Sequence, residues 1–102
     1  MILVRQTFKA KFGRAGSVAA QMKEHRDVIS KAVGSNNRWR LLTDLSGAFD
    51  TVVLEIEIES LAEWEKRRGE MFQDTEFREA IGRSAEEFES GNTQFFTIEA
   101  QS

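Results

Sequence analysis

The sequence predicts an α+β domain of the ferredoxin-like kind, βαββαβ in order, with four antiparallel strands in one sheet and its helices on one face. Three observations predict it. Residues 51–59, TVVLEIEIE, alternate apolar and acidic side chains with the period of two that a half-buried strand requires. Residues 15–33, and again the stretch that follows Ser60, carry apolar residues at spacings of three and four, the stripe of an amphipathic helix. The 102 residues suffice for one core, so the domain spans 1–102. Right-handed crossovers in this order place the first and third strands side by side in the centre of the sheet.

The elements follow in order. Residues 2–12 alternate, with Ile2, Val4, Phe8, Ala10 and Phe12 on one face and Leu3, Arg5, Thr7, Lys9 and Lys11 on the other; Gln6 is the one polar residue on the apolar face. Gly13 and Gly16 end the strand, and Ser17 or a neighbour caps a helix over 15–33. Its stripe is Val18, Met22, His25, Ile29 and Ala32 or Val33, and Gly34 stops it. Residues 38–45 form a second strand and 46–50 a turn, which makes a hairpin with 51–59. Ser60 and Glu63 fit a capping box, opening a helix with Leu61, Trp64, Arg68 and Met71 or Phe72 on one stripe. The segment QDTE breaks that helix, and Asp74 or Thr75 caps another that carries Phe77, Ala80 or Ile81, Ser84 and Phe88. Gly91 closes it, and 92–99 is the last strand.

Composition removes several function classes. Cysteine is absent, so there is neither a disulfide framework nor a thiolate metal site, and a single histidine argues against a His-based one. No cofactor motif is present; Gly13-Arg14-Ala15-Gly16 lacks the lysine and hydroxyl of a phosphate loop. His25-Arg26-Asp27 spells the start of a kinase catalytic loop, but a kinase domain needs a longer chain and its other signature segments. A net charge of −3 with interspersed signs gives no footprint for nucleic acid. The third strand sets Glu55, Glu57 and Glu59 where an RNA-recognition sheet would carry stacking aromatics. No apolar run approaches the roughly 20 residues that cross a bilayer, and the N-terminus does not read as a signal peptide, so the sequence reads as cytoplasmic with no membrane partner.

The outer sheet face sets Arg5 and Lys9 beside those three glutamates, with Leu3, Val53 and either Phe95 or Phe96 among them. Such a face is either a solvated surface or one that meets a copy of itself, as in a symmetric homodimer. The second strand is expected to turn Trp39, Leu41 and Leu45 toward the helices and Arg40 toward Glu55 or Glu57; a slip of one residue would turn Arg40 toward the helices instead.

The stretches LTDLSGAFDTVVLEIEIESLAEWEK and DTEFREAIGRSAEEFESGNTQFFTIE resemble the hairpin-to-helix and C-terminal segments of NIPSNAP-like proteins in the dimeric α/β-barrel superfamily. The resemblance implies a homodimer in which two sheets face each other and pair into a dimeric α/β barrel. It also implies a pocket between helices and sheet in each subunit. Some relatives are cofactor-independent monooxygenases and others degrade haem. The Asn–Trp–His trio of the haem-degrading members is not matched, since Gln6 stands on the first strand and no histidine follows residue 25.

The candidate site residues are the polar anomalies on apolar stripes and the aromatics near them. His25 is either a hydrogen-bonded core histidine or a general base able to exchange a proton near neutral pH. Arg68 either snorkels to solvent or presents a cation to an acidic or phenolic ligand. Trp64, Trp39, Phe8 and Met22 are core residues that could also line a pocket for an aromatic ligand. Together with the homodimer that the resemblance implies, these residues predict a protein that binds a small apolar or aromatic molecule. The rival readings are a cofactor-independent monooxygenase-type enzyme with His25 as base, and a non-catalytic stress or interaction subunit with a filled interior.

Overall fold

In the computed structural model, which describes Met1–Ser102, the chain runs β1 (Ile2–Ala10), α1 (Ala15–Glu24), α2 (Arg26–Val33), β2 (Trp39–Thr43), β3 (Thr51–Ile58), α3 (Leu61–Gln73), α4 (Thr75–Ala85) and β4 (Phe88–Thr97). The strands form one antiparallel sheet in the order β2-β3-β1-β4, with β1 and β3 central. This is the ferredoxin-like α+β architecture that the alternation and helical stripes predict.

Register divides each strand between two faces. Val4 lies opposite Ile56 and Phe95, and Phe8 lies opposite Val52 and Gly91, so these residues share the face that packs on the helices. The core on that face joins Val4, Val52, Leu54, Ile56 and Ile58 to Val18, Met22, Ile29, Val33, Trp64 and Met71. Burying each large aliphatic side chain contributes roughly 1.5–3 kcal/mol, which fixes the face each strand presents. Trp39 lies opposite Ile56 and Arg40 opposite Glu55, as the expected orientation of β2 requires.

The helix starts after the hairpin match their capping signals. The Glu63 N–H donates to Ser60 Oγ at 3.1 Å, and the Glu63 carboxylate accepts from the Glu59 N–H at 3.3 Å. Asp74 caps α4 by accepting from the Phe77 N–H at 3.2 Å.

Several expectations are corrected. The helix over 15–33 is two helices broken at His25, whose backbone (φ −105°, ψ 25°) leaves the helical region. Its N–H is shared between the Gln21 and Met22 carbonyls, a tightened last turn, and the chain restarts with the Ile29 N–H on the His25 carbonyl. Lys23 at the end of α1 and Asp27 at the start of α2 suit the dipoles of two separate helices. Ser17 does not cap α1; Asp50 does so from the β2–β3 loop, accepting from the N–H groups of Gly13 and Ala15 at 2.9 and 3.2 Å.

Strand β2 stops at Thr43, and Leu45 is fully exposed. Strand β4 starts at Phe88 rather than 92, because Phe88 pairs with Ala10 across a register shift and stacks on Phe8 at 4.6 Å. Gly91 is therefore a strand residue opposite Phe8 and not a helix stop; a Cβ there would sit 2.9 Å from the Phe8 ring. Phe12, beyond the end of β1, and Phe72, on the outer side of α3, are both exposed.

Candidate functional site

Two places on this frame combine unusual chemistry with defined geometry: a cavity under the helices and an ion cluster on the opposite face of the sheet.

The cavity has a volume of about 170 Å³ and lies between the inner face of the sheet and the helices. Its floor is Gln6 and Phe8 of β1 with Leu54 and Ile56 of β3. Met22, Ile29 and Val33 close it from the first helix pair, Met71, Phe77 and Ile81 from the second, and Phe88 from the edge strand. Eleven of its 13 lining residues are hydrophobic; Gln6 and Ser84 are the two polar ones. Ser84 is buried, and its hydroxyl donates to Gln21 Oε1 at 3.0 Å, linking α4 to α1. None of the lining side chains is ionisable in the neutral range. The cavity therefore offers shape, dispersion contact and one or two hydrogen-bonding groups, and no acid or base of its own.

The predicted site residues separate on this geometry. Phe8 and Met22 line the cavity. Trp64 is buried in the core and meets Phe95 edge-on at 6.4 Å, outside the cavity lining. Trp39 lies on the helix side of β2, its indole N–H donating to Ser30 Oγ at 2.9 Å, and borders a shallower depression with Lys23 and Arg26. His25 is half-buried at the α1–α2 break and does not line the cavity. Arg68 is exposed, with its guanidinium 5.1 Å above the Phe72 ring. The inward arginine of α3 is Arg67, one residue earlier, which packs beside Gly34 and pairs loosely with Glu63 and Glu70 at 3.7 Å. Ile81, Phe77 and Ser84 enter the site from the stripe that defines α4; their periodicity was the signal for them, although periodicity alone does not distinguish a filled core from a hollow one.

The outer face is organised around Glu55, which is only 3 % exposed. Arg5 Nε donates to Glu55 Oε2 at 2.7 Å, and Arg40 binds Glu55 Oε1 at 2.6 Å. Burial alone would raise the Glu55 carboxyl; the hydrogen bonds and charges of the two arginines outweigh it and hold the group below its ordinary value. The Arg5 guanidinium also covers the Phe96 ring at 5.0 Å, so Phe96, and not Phe95, lies among the charges. Lys9 does not join this cluster; its ammonium reaches the Phe49 carbonyl. Glu59 lies beyond β3 and is exposed.

Two further carboxylates fasten the loops at the other end of β1. Hydrogen bonds from the Gly13 and Ala15 N–H groups lower Asp50, and the side-chain hydrogen bond from Arg14 lowers Glu87. No group of three or more His, Cys, Asp or Glu side chains is placed to hold a metal ion, and no helix is long and apolar enough to cross a membrane.

No family model matches the sequence, and no curated protein does. Solved structures do match. The chain is similar to an uncharacterised NIPSNAP domain protein of Burkholderia xenovorans at TM-score 0.81 and 16% identity, covering 100% of this chain and 98% of that one. A NIPSNAP family protein of unknown function from Agrobacterium tumefaciens matches at TM-score 0.85 and 13% identity, over 94% of this chain and 86% of that one. A proposed antibiotic biosynthesis monooxygenase of Bordetella bronchiseptica matches at TM-score 0.72 and 16% identity, over 94% of both chains. At these identities the likeness is one of fold.

Proposed function

We propose that this chain is a NIPSNAP-like small-molecule-binding protein that holds a small apolar or aromatic ligand between helices and sheet, and that it works as a homodimer. The observation that carries the binding reading is the 170 Å³ cavity with its apolar lining. The pocket is partly open, with Phe8, Phe77, Ile81 and Phe88 only half-buried around it, and an apolar cleft of this size in a 102-residue domain favours a role. The reading of an interaction subunit with a filled interior is disfavoured for the same reason. Thermal denaturation tests the proposal: benzene or toluene at saturation should raise the melting temperature, by mass action on the folded state. Ile29→Phe, which fills the cavity, should abolish the response while leaving the protein folded. No shift with any neutral single-ring aromatic would overturn the reading.

The dimer reading rests on the outer face. Leu3, Leu42, Val53 and Phe96 lie on it around a cluster whose central charge is already compensated, which lowers the penalty for covering it. Light scattering should give twice the mass of the 11.6 kDa chain. Leu42→Glu, which leaves the Glu55 cluster alone, should return the mass to that of one chain.

A cofactor-independent monooxygenase remains the enzymatic alternative, supported by the fold neighbours. It would need His25 to reach a bound substrate from outside the cavity lining. Oxygen uptake with phenolic substrates, lost in His25→Ala, is its expected signature.

A further inference from the structure

The two polar residues of the cavity wall differ in one respect. Ser84 has already committed its proton to Gln21 Oε1. Gln6 has no partner among the side-chain hydrogen bonds of the protein, although its amide carries two donor hydrogens and an acceptor oxygen. It occupies the middle of β1, opposite Leu54 and Thr93, on a face otherwise built from Ile2, Val4, Phe8 and Ala10. Gln6 is half-buried, so water can reach its amide when the pocket is empty, and a ligand that displaces this water must return the hydrogen bond. A leucine would have continued the alternation at that position.

We infer that Gln6 is the polar anchor of the cavity, and that the ligand is a neutral single-ring molecule carrying one hydroxyl or carbonyl group. The ring fills the apolar volume and its oxygen takes the Gln6 amide. The inference rests on the binding reading above and deepens it. Size supports a single ring: a dry protein cavity of about 150 Å³ accommodates benzene, and this one measures about 170 Å³. Charge supports neutrality: the lining holds no cation to compensate a buried carboxylate or phosphate. The placement of Arg68 outside the lining, on Phe72, removes the cation that an acidic ligand would have needed.

Isothermal titration of phenol and toluene, on wild type and on Gln6→Leu, tests this. The two ligands differ by a hydroxyl in place of a methyl, and comparing their ratio between two proteins cancels the hydration of each free ligand. The ratio of phenol to toluene dissociation constants should rise about tenfold in Gln6→Leu, the size of one hydrogen bond lost in an apolar site. Gln6→Leu completes the apolar alternation, so it should fold and melt no lower than wild type. Gln6→Met, a second apolar residue of similar length, should give the same change in ratio. If both ligands bind and the ratio moves less than twofold in both variants, the anchor is refuted and the binding reading stands. If neither ligand binds wild type, both fall together.

Discussion

Glu55 and Ile56 are neighbours on β3, both almost fully buried, and they are buried by opposite means. Ile56 points to the helices, where it is covered by carbon. Glu55 points away from them, where the protein's own arginines cover it. One strand thus solves two problems at once: its even residues exclude water by packing, and Glu55 does so by ion pairing. The contrast teaches that burial on the outer face says little about stability. Packing of carbon yields a net gain per residue. Burial of a charge between partners offsets a desolvation penalty and often ends near zero.

Ile56→Ala should lower unfolding stability by about 3–4 kcal/mol, through lost transfer energy and the enlarged void beside the cavity. For a domain of this size that is roughly 15–25 °C in melting temperature. Urea denaturation should show a lower midpoint and an unchanged slope, since the folded state stays compact. A loss under about 1 kcal/mol would mean that the inner face is already loosely packed. Arg5→Glu comes next. It sets a second carboxylate against buried Glu55 and leaves Arg40 alone to compensate both, which should destabilise by about 2–3 kcal/mol, more at neutral pH than in acid. An equal effect at both pH values would show that the arginine acts through its stem over Phe96 and not through its charge.

These two faces were also unequally legible. The inner face was readable because alternation is local: Val52, Leu54, Ile56 and Ile58 announce themselves within one strand. The capping signals at Ser60 and Asp74 were readable for the same reason. The break at His25 was not, because the stripe of Val18 and Met22 continues in phase to Ile29 and Val33 across it. Arg68 and Arg67 both lie within a helical turn of Trp64, so period alone does not decide which one turns inward. Only the docking of α3 beside Gly34 does so. The spacing of Phe88 from Ser84 suits a helix, yet its pairing with Ala10 is a contact across most of the chain. The cavity belongs to that last kind. It depends on how volumes from β1, β3, β4 and the helices sum, and on the Ser84–Gln21 bond that joins α4 to α1. Gln6 was visible as an exception to the alternation, but what it faces was not.

The pH dependence sharpens the outer face. The folded-state carboxyls of Glu55, Glu87 and Asp50 are held below their ordinary values. Each therefore contributes stability that is fully present above its unfolded-state pKa, near 4 for these carboxyls, and is lost as pH falls through the depressed folded value. Wild type should lose stability progressively below about pH 4. Glu55→Gln should flatten part of that slope while lowering stability at pH 7 by about 1–2 kcal/mol, the loss of charge from hydrogen bonds to two guanidinium groups. Paired melts of the two proteins from pH 7 to pH 3 measure both effects. Parallel curves would assign the acid sensitivity to Asp50 and Glu87 at the loop end instead.

The smallest expected effect is the most discriminating. Glu55→Leu removes the buried charge altogether. Arg5 and Arg40 keep 38 % and 68 % of their side-chain surface exposed, so they can rehydrate when their partner is gone. The new leucine packs among Leu3, Val53 and Phe96, and the desolvation penalty of the carboxylate disappears. Stability should change by less than about 1 kcal/mol in either direction, against the 3–4 kcal/mol expected one residue away. Oligomeric state should be the sensitive readout instead, because the three-residue ion cluster fixes where the arginine heads lie on the face proposed to meet its copy. A variant that keeps its melting temperature but loses its dimer would assign Glu55 to recognition. A variant that unfolds would show that the outer face carries the fold as much as the inner one does.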